Sequence, residues 1–131
     1  MKKIGILNNR LSEVIASMGH MDLLTICDAG LPIPEGINRI DLSVVPGIPK
    51  FLDVLEAVES ELEIQKIYLA EEIKEKNPAI EKEILAQFPD LVVVYIPHEE
   101  FKRESQKSRA IIRTGECSPY ANVILESGVT F

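Results

Sequence analysis

The sequence predicts an α/β fold: a three-layer α/β/α arrangement of a mostly parallel, mixed sheet in a single domain. Three observations carry this expectation. Short apolar runs alternate with segments of helical periodicity, the pattern of a layered α/β architecture. The length of 131 residues suits one hydrophobic core, so residues 1–131 are read as one domain. The closing runs Val123-Ile124-Leu125 and Gly128-Val129-Thr130-Phe131 leave little room for helical crossovers, so some antiparallel pairing is expected.

The elements follow in order. Leu11, Val14, Ile15 and Met18 recur at i, i+3, i+4 and i+7, one face of an amphipathic helix. Asn8 or Asn9 caps its start, and Gly19 suits a left-handed stop. Leu23-Leu24-Thr25-Ile26-Cys27 reads as a buried strand with Asp28 at its carboxyl end. Asn38-Arg39-Ile40-Asp41-Leu42 is a short second strand, and Val45-Pro46-Gly47-Ile48-Pro49 interrupts the chain. A helix follows with Leu52, Leu55, Val58 and Leu62 inward, then a strand over Lys66-Ile67-Tyr68-Leu69-Ala70. Asn77-Pro78 starts another helix, Asn as cap and Pro in the first turn, with Ile80, Ile84, Leu85 and Phe88 as its apolar stripe. Leu91 to Ile96 is the strongest strand signal, and its unbroken apolar character predicts a central strand covered on both faces. Pro97-His98 opens a short charged helix, Ala110-Ile111-Ile112-Arg113 is a strand, and residues 114–122 form a polar loop.

Composition narrows the function. A formal charge of −7 argues against nucleic acid or an anionic membrane as partner, since both require a positive surface. No apolar run reaches membrane-spanning length, and the run after Lys2-Lys3 breaks at Asn8-Asn9 and Arg10, too early for a signal peptide. A cytoplasmic protein is expected. Cys27 and Cys117 have no metal-ligand spacing and are read as reduced, partly buried thiols. There is no P-loop, no GxGxxG and no GxSxG, and two distant histidines make a poor metal site. No metal and no cofactor are expected.

The remaining chemistry lies in His20, Asp28, His98, Lys102, Tyr120, Ala121 and Asn122. Taken singly, each has an ordinary structural reading: a surface histidine, a turn-bracing Asp, a solvated lysine, turn residues after Pro119. Arg113 is assigned a structural ion pair. Taken together, strand exits and the loops after them converge on one crevice in such folds. A proton-exchanging imidazole with carboxylate, phenol, amide and ammonium groups suits a polyhydroxylated ligand, whose hydroxyls each need a partner once desolvated.

Several ordered segments make the chain similar to a known family. They are Lys3-Ile4-Gly5-Ile6-Leu7-Asn8, Gly19-His20 with Asp22, Asp28-Ala29-Gly30-Leu31-Pro32-Ile33-Pro34, Ile40-Asp41-Leu42 with Pro46-Gly47-Ile48-Pro49, Ile112-Arg113-Thr114-Gly115-Glu116, Pro119-Tyr120-Ala121-Asn122 and the closing Gly128-Val129-Thr130-Phe131. In these the chain resembles the D-ribose pyranases and the related fucose mutarotases over essentially its whole length. The resemblance implies an isomerase that interconverts pyranose and furanose ribose without a cofactor. It implies His20 as catalytic acid/base, Asp28, His98 and Tyr120-Ala121-Asn122 as substrate-binding positions, and Lys102 near the site. It implies a homo-oligomeric ring such as a decamer, with sites near subunit interfaces. A fucose or other monosaccharide mutarotase, or a non-catalytic sugar-binding accessory of a ribose transport system, fits the same residues. Phe131, an apolar last residue, is expected to form a subunit contact.

Overall fold

The computed structural model describes all residues, Met1–Phe131. The order is α1 (Asn9–Ser17), β1 (Leu23–Cys27), β2 (Arg39–Asp41), α2 (Phe51–Glu59), β3 (Ile64–Ala70), α3 (Ile73–Lys76), α4 (Pro78–Gln87), β4 (Val92–Ile96), α5 (His98–Ser105), β5 (Ile111–Arg113) and β6 (Val123–Ser127). Local chemistry sets the helix starts. The Asn8 side chain accepts from the Leu11 N–H at 3.1 Å, and the Asn77 side chain accepts from the Ile80 N–H at 3.4 Å with Pro78 in the first turn. The Glu72 carboxylate accepts from the His98 N–H at 3.0 and 3.1 Å and holds the start of α5.

One six-stranded sheet has the order β2-β5-β1-β6-β3-β4. β5 runs parallel to β1 and β2, β3 runs parallel to β4, and β6 lies antiparallel between β1 and β3. The mixed, mainly parallel sheet expected from the sequence is therefore present, and the antiparallel strand comes late in the chain. Strand residues alternate between two apolar clusters, as the two-residue repeat requires. Leu24, Ile26, Ile67, Leu69, Val123 and Leu125 pack with Leu11, Val14, Phe51, Val54, Leu55, Val58 and Ile84 from α1, α2 and α4. Cys27, Ala70, Ile111 and Ile124 pack on the opposite face against Phe101 of α5. Helices on both faces give the three layers.

Five sequence expectations are corrected. The apolar run of β4 is an edge strand, paired only with β3, and Val92 is 59% exposed. An unbroken apolar run does not by itself fix a strand's place in the sheet: no residue of β4 is fully buried. The central place belongs to β6, which enters between β1 and β3. Helix α1 ends at Ser17, with Met18 extended at its cap, and the left-handed residue is Met21 at φ 67° rather than Gly19. Gly128 to Phe131 lie outside any strand, and Phe131 is fully exposed, so it does not reach the core. Cys117 is exposed while Cys27 is buried; burial pushes the Cys27 thiol pKa far up and keeps it inert. The face of α2 is also turned by about one residue, burying Phe51 and Val54 alongside Leu55 and Val58.

Candidate functional site

The topology gathers one set of residues at one end of the sheet. Asp28 follows the carboxyl end of β1, and His98 follows that of β4. β6 runs the opposite way, so the residues just before it, Tyr120 and Asn122, reach the same end. Asp28, Gly30, Leu31, His98, Pro119, Tyr120 and Asn122 line a cavity of about 300 Å³, within the range of small-molecule sites.

The cavity is held by a reciprocal clasp. The Asn122 side-chain oxygen accepts from the Asp28 N–H at 2.9 Å, and its amide NH₂ donates to Asp28 Oδ2 at 3.2 Å. Asn122 is 1% exposed, so its amide orientation is dictated by Asp28. The other Asp28 oxygen accepts from the Gly30 and Leu31 N–H groups, each at 2.9 Å, an Asx turn that fixes the loop after β1. Arg113 braces the same loop from outside: its Nε donates to the Ala29 carbonyl at 3.1 Å and its Nη1 to Asp41 at 3.0 Å, the structural pairing expected for it.

Aromatic contacts set the opposite wall. The Tyr120 ring meets His98 edge-on at 5.0 Å, and Phe101 stacks with His98 at 6.3 Å. Tyr120 has φ 56°, a left-handed backbone that costs a bulky residue roughly 1–2 kcal/mol. Strain of this kind clusters at binding sites. His98 Nδ1 is buried and has no hydrogen-bond partner in the chain. An unsatisfied buried polar atom costs about 1–3 kcal/mol.

The other expected residues stand apart. Ala121 is fully buried, its methyl group in the main core, so only its backbone is available. Lys102 lies one turn along α5 from His98 and pairs with Glu99 at 2.7 Å; it does not line the cavity. The larger departure is His20. It precedes β1, whereas Asp28 follows it, so the two occupy opposite ends of the five-residue strand. At about 3.3 Å per residue, roughly 16 Å of strand separates them. Within one chain His20 therefore does not line the cavity. Eight positions of sequence separation conceal a complete strand.

At its own end of the sheet His20 is exposed, and its Nε2 lies 3.1 Å from Gln65 Oε1. Gln65 Nε2 donates to Glu126 at 2.7 Å. Glu126 also accepts from Tyr68 at 2.9 Å and from Lys66 at 3.2 Å. Burial pushes the Glu126 carboxyl up, but the hydrogen bonds from Gln65, Tyr68 and Lys66 outweigh it and hold its pKa below the usual value. Asp22 completes this corner. It accepts from the Gly19 N–H at 2.8 Å and from Arg109 at 3.0 Å, which together lower its pKa. Sequence reasoning passed over Gln65 and Glu126. The one signal available was a charged residue at the end of the apolar run Val123-Ile124-Leu125.

A mixed three-layer sheet with a polar, aromatic-walled cavity across its strand ends defines a small-molecule-binding α/β protein. Comparison with known proteins makes this specific. Residues 1–130 match the model of the RbsD / FucU transport protein family, and the chain belongs to that family. It is 56% identical over 131 residues to a D-ribose pyranase of Lactobacillus gasseri, and 59% identical over 139 aligned positions to one of Glaesserella parasuis serovar 5; each alignment covers all of both chains. Among solved structures it is similar to Bacillus subtilis RbsD complexed with D-ribose, with TM-score 0.97 and 45% identity over all of both chains. The fucose mutarotase of Streptococcus pneumoniae in complex with L-fucose shares the fold, with TM-score 0.81 and 24% identity over all of both chains.

Proposed function

We propose that the protein is an isomerase that interconverts the pyranose and furanose forms of D-ribose. The observation that carries this is the convergence of Asp28, His98, Tyr120 and Asn122 on one cavity, in a chain with full-length likeness to D-ribose pyranases. Opening a hemiacetal ring removes a proton from the anomeric hydroxyl and delivers one to the ring oxygen. The open-chain aldehyde then rotates, and a different hydroxyl closes the ring. An imidazole serves both directions because its ordinary pKa lies near neutrality. In this reading His20 is the acid/base, and Asp28, His98, Lys102, Tyr120, the Ala121 backbone and Asn122 hold the hydroxyls. The Lys102–Glu99 pair is exposed on its Glu side and weak enough to yield to a sugar. General acid–base catalysis contributes ~10²–10⁴-fold, and ~10⁴-fold is about 5.5 kcal/mol of barrier. That suffices for a ring that already opens unaided in water.

Because His20 and the cavity occupy opposite ends of β1, the complete site in this reading is built by two copies. His20 of one subunit faces the cavity of the next, in a homo-oligomeric ring such as a decamer. The fully exposed Phe131 and the half-covered β4 edge support burial against another copy. No helix is long and apolar enough to cross a membrane, and the cytoplasm is the proposed location of this one sugar-isomerase domain, residues 1–131.

Saturation-transfer NMR on ribose tests the proposal. The wild-type protein is expected to accelerate exchange between ring forms, and His20→Ala to keep the fold and lose most of that acceleration. Ribose binding without catalysed exchange in the wild type would instead indicate a sugar-binding accessory. Wild-type rates in His20→Ala would remove His20 from the mechanism.

A further inference from the structure

The hydrogen-bond network behind His20 bears on which of its ring nitrogens carries a proton. Glu126 is 4% exposed and takes donors from Gln65, Lys66 and Tyr68. An ionised carboxylate only accepts. The Gln65 amide must therefore turn its NH₂ toward Glu126, as its 2.7 Å contact requires. That leaves Gln65 Oε1, an acceptor, facing His20 Nε2 at 3.1 Å. Two acceptors cannot bond to each other, so His20 Nε2 must carry a proton. In a neutral imidazole the other nitrogen, Nδ1, is then the free base.

We propose that Gln65 is a positioning residue, oriented by the buried Glu126 carboxylate, that holds His20 as the Nε2–H tautomer so that Nδ1 takes and returns the sugar's proton. This rests on the reading of His20 as the acid/base. The step balances. The anomeric O–H bond breaks as Nδ1–H forms. The same proton then passes from Nδ1 to the ring oxygen as the C1–O bond breaks and C1=O forms. The transient imidazolium gains because its Nε2–H already points at an oxygen whose dipole is fixed. Lys66 and Tyr68 are the charged and titratable groups that also bind Glu126; neither hydrogen-bonds His20.

The test uses full-length protein carrying ¹⁵N only in histidine, measured at about pH 8.5, some two units above the ordinary imidazole value. The chain has two histidines, and the His20→Ala spectrum identifies the signals of His20. The wild type should show a protonated Nε2 and an unprotonated Nδ1 at His20. A dominant Nδ1–H form would overturn the inference while leaving the acid/base reading intact. Gln65→Leu should release the tautomer to a mixture and lower kcat about tenfold, the worth of one hydrogen bond to a charged ring, with KM within about twofold. An unchanged tautomer and unchanged kcat in that variant would equally overturn it. If His20→Ala exchanges ribose at the wild-type rate, the acid/base reading fails instead, and the two failures are distinct.

Discussion

The sharpest perturbation of the cavity is Asn122→Ala. Asn122 is 1% exposed and makes both halves of the clasp with Asp28. Truncation removes a bond from a backbone N–H, worth about 1 kcal/mol, and a bond to a carboxylate, worth about 1.5–3 kcal/mol. The Asp28 N–H is then left without its partner. The expected cost is about 2–4 kcal/mol of stability, read by urea denaturation at fixed protein concentration. The free Asp28 oxygen loses its orientation, so ribose affinity measured by calorimetry should fall by at least about tenfold, or 1.4 kcal/mol. The exchange rate at saturating ribose should fall less than the affinity. Asn122→Asp should be no better, because it sets one carboxylate against another. A loss under about 1 kcal/mol with unchanged affinity would refute the claim that the clasp holds the cavity in shape.

Further outcomes follow from other features. A Cβ at Gly115 would collide with the Ile48 backbone, so Gly115→Ala should cost about 1–3 kcal/mol in the same denaturation assay by forcing the 44–49 loop outward. Asp22 has its pKa lowered by the Gly19 N–H and by Arg109. The unfolded chain therefore binds a proton there first as pH falls, and folded stability declines from the ordinary carboxyl value near 3.8 downward. Asp22→Asn should be less stable than wild type above that value and should lose less stability below it, measured by thermal melts between about pH 3 and 6. Deleting Phe131 should weaken assembly in light scattering, since a fully exposed terminal ring gains only by burial against another copy; normal assembly would remove Phe131 from the interface.

Local chemistry made much of this molecule legible in its residues. Asn8 and Asn77-Pro78 announced helix starts, and both cap as their side chains dictate. Asp28, Tyr120 and Asn122 signalled a site because polar groups beside strand ends at Gly- and Pro-rich turns have few other employments. Long-range order was not legible. The run from Leu91 to Ile96 spelled shielding on both faces, yet β4 lies at the sheet edge. Likewise β6, last in the chain, enters between β1 and β3, and no local pattern encodes such an insertion. His20 and Asp28 read as neighbours because sequence distance ignores the length of an extended strand. Gln65 and Glu126 are not legible because each lies just outside its apolar run, and they meet across strands β3 and β6 that are distant in sequence.

The rod-like separation imposed by β1 has an arithmetic consequence. If each junction joins the imidazole corner of one copy to the cavity of its neighbour, a lone chain has no working centre, and an open string has one fewer centre than copies. Only closure of the ring gives every copy a full complement, which ties turnover to dilution. It also permits rescue between two disabled parents. Reassembling His20→Ala with Asn122→Ala in equal amounts would regenerate intact junctions at roughly one in four by random head-to-tail placement, raising activity at ribose concentrations below saturation above that of either parent alone.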